Sequence, residues 1–329
     1  MMPTAFVTGA TGFLGRHLID ILLEANWTIT AMVRDPKAAA KILDAKVTLI
    51  KGDLINASDT RTAMPETLDC VFHVAADTST WSKEAAHQQE VNIEGTRSVL
   101  HAILDKDVKR MVHVSSIAVF GEQHGPITEK TARKGAESWV SYISTKSYAE
   151  RKVKEAVDRG FDAVIVNPTH IVGRYDTHNW ARLIQMMAEG TLPGTPPGGG
   201  NFANGRAVAE GILAAYHKGK QGHNYILGGP KASFEEFLTI AGEKIGKGKP
   251  PKPMPGWSLK LMASVLSLVA SFTGKRPMIT KEEALFSTEN QDARSDKAVK
   301  ELGYRLVPLE QSIDESIAFL KENSLFEIK

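Results

Sequence analysis

The run Thr8-Gly9-Ala-Thr11-Gly12-Phe13-Leu14-Gly15 lies between a β-branched apolar stretch, Thr4–Thr8, and a stretch of helical period, Gly12–Ala25. In such a setting Gly9 permits a tight turn, Gly12 lets the backbone approach a pyrophosphate, and Gly15 allows the helix to pack closely on the strand. The helix N-terminus adds unpaired N–H groups and a partial positive charge. A glycine triplet alone also marks ordinary turns; between a strand and a helix it specifies the phosphate cradle of a dinucleotide, to which Thr11, Phe13 and Leu14 also belong.

The rest of the first half repeats this alternation. Strands are expected at Thr28–Val33, Val47–Lys51, Cys70–Ala75, Arg110–Ser115 and Ala163–Asn167, with long helical stretches such as Glu84–Leu104 between them. Alternating strands and helices predict an α/β fold, a doubly wound parallel sheet of Rossmann type. After Pro168 the pattern loosens, and Leu192-Pro-Gly-Thr-Pro-Pro-Gly-Gly-Gly200 reads as a loop. A helix at Arg206–His217 and a strand at Tyr225–Leu227 then return to the sheet, and the chain past Gly229 is mainly helical. The expected division is a nucleotide-binding domain over 1–168, joined by 204–229, and a smaller, mostly helical substrate-binding region over 169–329.

Charge and cysteine usage narrow the functional classes. The chain has 40 Lys and Arg against 38 Asp and Glu, a net +2 that is too small for the basic footprint of nucleic-acid binding. The single cysteine, Cys70, sits in an apolar run, which excludes an intrachain disulfide and points to a core residue in a reducing, cytoplasmic setting. No secretory leader is expected at the N-terminus. The most apolar segment, Trp257 to Phe272, falls short of the roughly 20 residues that span a bilayer. Lys260, Ser264, Ser267 and Ser271 form one polar stripe along it, so a buried or partner-facing helix is expected rather than a membrane contact. The histidines show no metal-ligand spacing.

Two groups carry candidate chemistry. The second strand ends Met32-Val33-Arg34-Asp35-Pro36, with Lys41 beyond it. An acidic residue here binds the ribose hydroxyls of NAD, whereas arginine receives the extra phosphate of NADP. Arg34 and Lys41 favour NADP(H), with NAD(H) as the alternative if Asp35 is the ribose reader. Further on, Tyr142 and Lys146 stand four residues apart, on one helix face. Bringing a tyrosine from pKa ~10 to ~7 requires about 4 kcal/mol, which one ammonium ~4 Å away supplies at an effective dielectric of ~20. Ser116, at the end of the fifth strand, is placed to hydrogen-bond a carbonyl oxygen as charge grows on it, while Ser115 fits a strand cap better.

These motifs, together with Gly52-Asp-Leu54, His73-Val-Ala-Ala76, Val91-Asn-Ile-Glu-Gly-Thr96, Val114-Ser-Ser116 and Asn167-Pro168, resemble an extended short-chain dehydrogenase/reductase of the NAD(P)-dependent epimerase/dehydratase family. The branch it is most similar to is that of the dihydroflavonol 4-reductase-like and 3β-hydroxysteroid dehydrogenase-like enzymes. The resemblance implies Asp53 and Leu54 at the adenine, Ala75 and Ala76 beside the ribose and phosphates, and Pro168 framing the nicotinamide. It implies Ser116, Tyr142 and Lys146 as the catalytic trio, with Asn92 behind the site. Asp77, Phe120, His170, Asn201 and Phe202 are expected at the substrate, a small-molecule ketone, aldehyde or alcohol. A nucleotide-sugar epimerase and a non-catalytic NADP(H) sensor are the competing functions, and the resemblance also admits a homodimer. The chain departs from the pattern at Asn204-Gly-Arg206, where relatives carry aspartate, and at Gly173-Arg174, where relatives carry Gly-Pro.

Overall fold

In the computed structural model, which describes residues 2–326, the alternating pattern closes into a parallel sheet. Its strands are β1 (Thr4–Thr8), β2 (Thr28–Val33), β3 (Thr48–Lys51), β4 (Thr67–His73), β5 (Asp107–Val114) and β6 (Ala163–Pro168). Three short strands follow, β7 (His170–Val172), β8 (Gly199–Asn204) and β9 (Asn224–Leu227), and then β10 (Lys231–Ser233). The large sheet runs β3-β2-β1-β4-β5-β6-β9, with every pairing parallel, and the order reverses between β1 and β4. That reversal opens a crevice at the strand carboxyl ends, where ligands of such sheets bind.

Burial explains why these segments became strands. In β6, Ala163, Val164, Ile165 and Val166 have no exposed surface, because helices cover both faces. Each large side chain buried this way stabilises the fold by about 1.5 to 3 kcal/mol. The expected strand Cys70–Ala75 is instead Thr67–His73, and Arg110–Ser115 is Asp107–Val114. Both begin earlier because polar, half-exposed residues at the sheet's entry edge, such as Asp69 accepting from the Thr4 N–H at 2.8 Å, still pair in the ladder. Both end one or two residues earlier, although the Val74 N–H still donates to the Thr8 carbonyl at 3.3 Å and the Ser115 N–H to the Val166 carbonyl at 2.8 Å. Cys70 is buried and its thiol is pushed well up by desolvation, as a core residue.

The helices are α1 (Phe13–Glu24), α2 (Pro36–Ala39), α3 (Ala57–Ala63), α4 (Ala85–Gln89), α5 (Gly95–Leu104), α6 (Ser141–Asp158) and α7 (Ala181–Glu189). They continue with α8 (Gly205–Lys218), α9 (Phe234–Lys244), α10 (Gly256–Thr273), α11 (Lys281–Thr288), α12 (Asp296–Leu302) and α13 (Leu309–Glu322). On α1, Leu14, Leu18, Ile19, Ile21 and Leu22 point inward and share one core with α8, whereas α3, α5 and α6 cover the opposite face. A third core joins β7 and β8 to α7, α9 and α13.

Two expectations need correction. The stretch Glu84–Leu104 is not one α-helix, because a π-helical turn at Glu90–Glu94 separates α4 from α5. Such turns often re-aim a side chain at a functional site, and this one holds the buried Asn92. For the apolar helix, α10, expected to be buried or partner-facing, the buried alternative is overturned: only Leu259, Ala263 and Ala270 are covered, while Trp257, Leu261, Val265, Leu268, Val269 and Phe272 are exposed.

Candidate active site

The glycine turn has the geometry that a pyrophosphate requires. Gly9 adopts φ +76°, and a Cβ there would lie 2.6 Å from the backbone nitrogen of Ala75. A side chain at Gly15 would collide with the Gly9 carbonyl, so β1 and α1 approach as closely as they do only through glycine. Gly12 is the N-cap of α1, with no capping side chain and no acid in the first turn. Its outer side is open, and Thr11 and Gly12 are exposed, so the first N–H groups of α1 are available to an anion. These features fit a dinucleotide, with the backbone of Gly12, Phe13 and Leu14 at its phosphates.

A buried histidine braces this turn. His73 Nδ1 lies 2.7 Å from Thr8 Oγ1, and Nε2 lies 2.9 Å from Thr96 Oγ1. Since the Thr96 hydroxyl spends its proton on the Asn92 carbonyl at 2.7 Å, it must accept from His73 Nε2–H, which leaves Nδ1 to accept from Thr8. The ring is therefore a neutral Nε2–H tautomer, and burial, reinforced by the Lys146 charge, lowers its pKa to about 3.

At the end of β2 the candidate readers of the ribose separate. One oxygen of Asp35 caps α2, accepting from the N–H groups of Lys37 at 2.9 Å and Ala38 at 3.1 Å. Arg34 and Lys41 are exposed and have no side-chain partner among the described residues. Asp53 Oδ1 accepts from the Ile55 N–H at 3.2 Å, while Leu54 is buried beneath Gly95, so at the adenine this segment offers backbone and the rim of Asp53. Ala75 and Ala76 are partly exposed at the crevice edge, and Pro168 closes the buried end of β6.

The proposed trio meets around the ends of β5 and α6. Ser116 Oγ accepts from the Ala118 N–H at 3.1 Å, which leaves its hydroxyl proton to donate elsewhere. Burial raises the Tyr142 pKa, and a hydrogen bond with Ser116 opposes that rise. The expectation that Lys146 acidifies the phenol at ~4 Å is not what the geometry gives: its ammonium donates to the Val114 carbonyl at 2.8 Å, and Tyr142 responds to burial and to Ser116. Burial lowers Lys146 to about 8, against the upward pull of Glu150. Asn92 stands behind the site, donating to the carbonyl of Asp77 at 2.9 Å and to Thr145 Oγ1 at 3.1 Å while accepting from the Asp77 N–H at 2.8 Å. With these groups committed, Asn92 orients the chain around the site.

Glu150, one turn beyond Lys146, was not among the sequence candidates. Its carboxylate is 2 % exposed and accepts from Ser115 Oγ at 2.6 Å, Arg133 Nε at 2.8 Å, Asn167 Nδ2 at 2.9 Å and Asn224 Nδ2 at 3.1 Å. It ties α6 to the ends of β5, β6 and β9. The i, i+4 spacing from Lys146 was the available signal.

Three of the substrate candidates, Phe120, Asn201 and Phe202, are buried, whereas His170 is half-buried. Phe202 has no exposed surface and stacks on Phe237 with centroids 5.1 Å apart, and Phe120 is buried beneath the Arg133 guanidinium. Asn201 donates to the Gly229 carbonyl at 2.9 Å and accepts from the Ala293 N–H at 2.7 Å, joining segments rather than facing a ligand. His170 packs among Trp180, Phe202 and Phe234. Asp77 remains at the crevice, where it accepts from the Ser79 N–H. Around Tyr142 the walls are Trp81, Val140, Leu285 and Phe286, the last edge-on to the phenol at 6.4 Å. A cleft of about 280 Å³ opens beside them between Gly121–Gly125 and α11.

Residues 5–228 match the NAD dependent epimerase/dehydratase family. The chain is 28 % identical to a putative dihydroflavonol 4-reductase of Synechocystis sp., over 98 % of this chain and 96 % of that one. It is 27 % identical to sterol demethylase protein B of Methylococcus capsulatus, over 98 % and 99 % of the two chains. Among solved structures, gox2253 superposes with a TM-score of 0.81 at 29 % identity, covering 98 % of this chain and 99 % of that one. A family match across the whole sheet, on a chain whose glycine turn is shaped for a pyrophosphate, gives the assignment: the chain belongs to the extended short-chain dehydrogenases/reductases, NAD(P)-dependent enzymes acting on CH–OH and C=O groups.

Proposed function

We propose that this protein is an NADP(H)-dependent reductase of an aromatic or alicyclic ketone or aldehyde. The observation that carries this reading is the Ser116–Tyr142 pair, Ser116 buried and Tyr142 half-buried, with the phenol held protonated by desolvation. A bound nicotinamide supplies the hydride. Ser116 donates to the substrate oxygen as negative charge develops there, and Tyr142 delivers the proton that completes the alcohol. Lys146 holds a positive charge beneath the site below about pH 8, where it attracts the ribose hydroxyls and the developing anion. The preference for NADP(H) rests on Asp35 being engaged in capping while Arg34 and Lys41 are free to meet a phosphate. Relatives named for dihydroflavonol and sterol chemistry, and the apolar walls Trp81, Leu285 and Phe286, support an aromatic or alicyclic substrate.

The test is NADPH oxidation against a panel of such ketones, with Tyr142→Phe beside the wild type. Loss of one positioned proton donor lowers kcat by about 10² to 10⁴. Equal rates in the two proteins remove Tyr142 from the mechanism, and a nicotinamide that survives dialysis and turns over no ketone assigns the site to epimerisation.

A further inference from the structure

Helix α10 is amphipathic in an unusual sense, with small side chains inward and large apolar ones outward. Leu259, Ala263 and Ala270 pack inward, the first two against Ala284 of α11. At 100° per residue the opposite face carries Trp257, Leu261, Val265, Leu268 and Phe272, at spacings of four, four, three and four. These five are between 54 % and 84 % exposed, a contiguous apolar ridge beyond what isolated surface residues require.

Charge tells what covers the ridge. Residues 244–281 contain eight Lys and Arg and no acid, so the chain's net +2 consists of +8 here and −6 elsewhere. Lys244 and Arg276 are paired with Asp314 and Glu283. Lys249, Lys252, Lys275 and Lys281 are exposed within eight residues of the ends of α10, and Lys260, on α10 itself, is exposed at the edge of the cleft that holds Glu289. A second copy docking through the same face would set these like charges against one another. An anionic lipid surface satisfies both features, since it buries the apolar face and attracts the lysines.

We infer that α10 is a membrane-surface helix, lying in the plane of an anionic bilayer with Trp257, Leu261, Val265, Leu268 and Phe272 inserted. Its inward face is fastened to the protein by α11 and by Lys83, which donates to the Ala270 carbonyl at 3.4 Å, so the helix lies on the membrane rather than crossing it. Because α11 also carries Leu285 and Phe286 against Tyr142, docking sets the mouth of the site beside the lipid. The inference stands apart from the carbonyl chemistry.

The experiment is co-sedimentation of the full chain with vesicles of phosphatidylcholine alone or mixed with phosphatidylglycerol. At about 0.1 M salt, partition onto the anionic vesicles is expected to exceed that onto neutral ones at least tenfold, since each basic residue near the surface contributes about fivefold. Salt at about 1 M, which shortens the Debye length to about 3 Å, removes most of that preference. The Leu261→Ser, Leu268→Ser, Phe272→Ser triple variant loses binding at least tenfold while its melting temperature and NADPH turnover are unchanged, because these side chains support nothing inside the fold. In the wild type the Trp257 emission shifts to the blue on anionic vesicles. Equal partition onto both vesicle types, or onto neither, overturns the proposal. So does a wild-type dimer, without vesicle binding, that the triple variant converts to monomer.

Discussion

Replacing Glu150 by alanine tests whether one carboxylate holds the catalytic edge of the sheet together. The substitution strands Ser115, Asn167 and Asn224, each at most 5 % exposed, and leaves Arg133 without its carboxylate. Breaking a buried ion pair from one side costs about 3 to 5 kcal/mol. An unfolding entropy of about 2.1 cal/mol/K per residue gives roughly 0.7 kcal/mol/K for 329 residues, so the midpoint falls by about 4 to 7 °C. Glu150→Gln preserves volume but turns an NH₂ toward hydrogen-bond donors, and it should lose a comparable part. Activity reports the same contact differently. Ser115 precedes Ser116, and Asn167 donates to the Ser116 carbonyl at 3.1 Å, so a shift of this edge misplaces the substrate donor and lowers kcat more than it raises KM. The assay is calorimetry with steady-state kinetics, and Glu155→Gln is the control, an exposed partner of Lys152 on the same helix that should change the midpoint by under about 1 °C. A Glu150→Gln protein that melts with the wild type and keeps its kcat refutes the reasoning.

Two further outcomes follow from the turn and its surroundings. Burial lowers the pKa of His17 to about 4 and of His73 to about 3 from an unfolded value near 6.5, so the unfolded chain binds more protons between these limits and stability falls as pH drops below 6.5. Each histidine removes about 2 kcal/mol by pH 5; urea midpoints at pH 7 and pH 5 measure it, and an unchanged midpoint contradicts their neutral burial. Arg34→Ala should raise KM for NADPH about tenfold or more and leave KM for NADH nearly unchanged, because a charged hydrogen bond to the extra phosphate is lost; parallel losses with both cofactors exclude Arg34 as the phosphate reader.

What the sequence made legible were features whose physics is local. The glycine turn, β2 and the Tyr142 to Lys146 spacing depend on neighbours within a few residues, and they lie where the pattern put them. Gly199 and Gly200 show the limit. They read as loop, yet they open β8, because a side chain on Gly199 would collide with the Ala232 carbonyl and one on Gly200 would lie 2.6 Å from the His170 ring. Glycine there serves close approach between strands, which only the partner segments reveal. In α10 the period identified the polar stripe but could not say which part of the apolar remainder the protein covers, since small residues can pack inward as well as large ones. Phe202 and Asn201 show a related limit: both follow a glycine-rich segment, but β8 carries Phe202 under the α9 layer, while Asn201, on the strand's other face, ties Gly229 to Ala293.

The departure at Asn204 is compensated by residues far along the chain. Asn204 Oδ1 caps α8 by accepting from the Ala207 N–H at 3.0 Å, as an aspartate would, while Nδ2 donates to Glu315 at 2.8 Å and to Ser312 at 3.3 Å. Aspartate keeps the cap and gains about 0.3 to 1 kcal/mol from the helix dipole. It also faces a carboxylate at contact distance and loses a hydrogen bond to a charged group, worth about 1.5 to 3 kcal/mol. The second effect is larger, so Asn204→Asp should destabilise by about 1 to 2 kcal/mol, a fall of roughly 1.5 to 3 °C at about 0.7 kcal/mol/K. Adding Glu315→Gln turns the repulsion into a hydrogen bond and should restore the midpoint, so the double-mutant cycle has a coupling energy of opposite sign to the single change. If Asn204→Asp is as stable as the wild type and Glu315→Gln adds nothing to it, the asparagine is not there for its second donor.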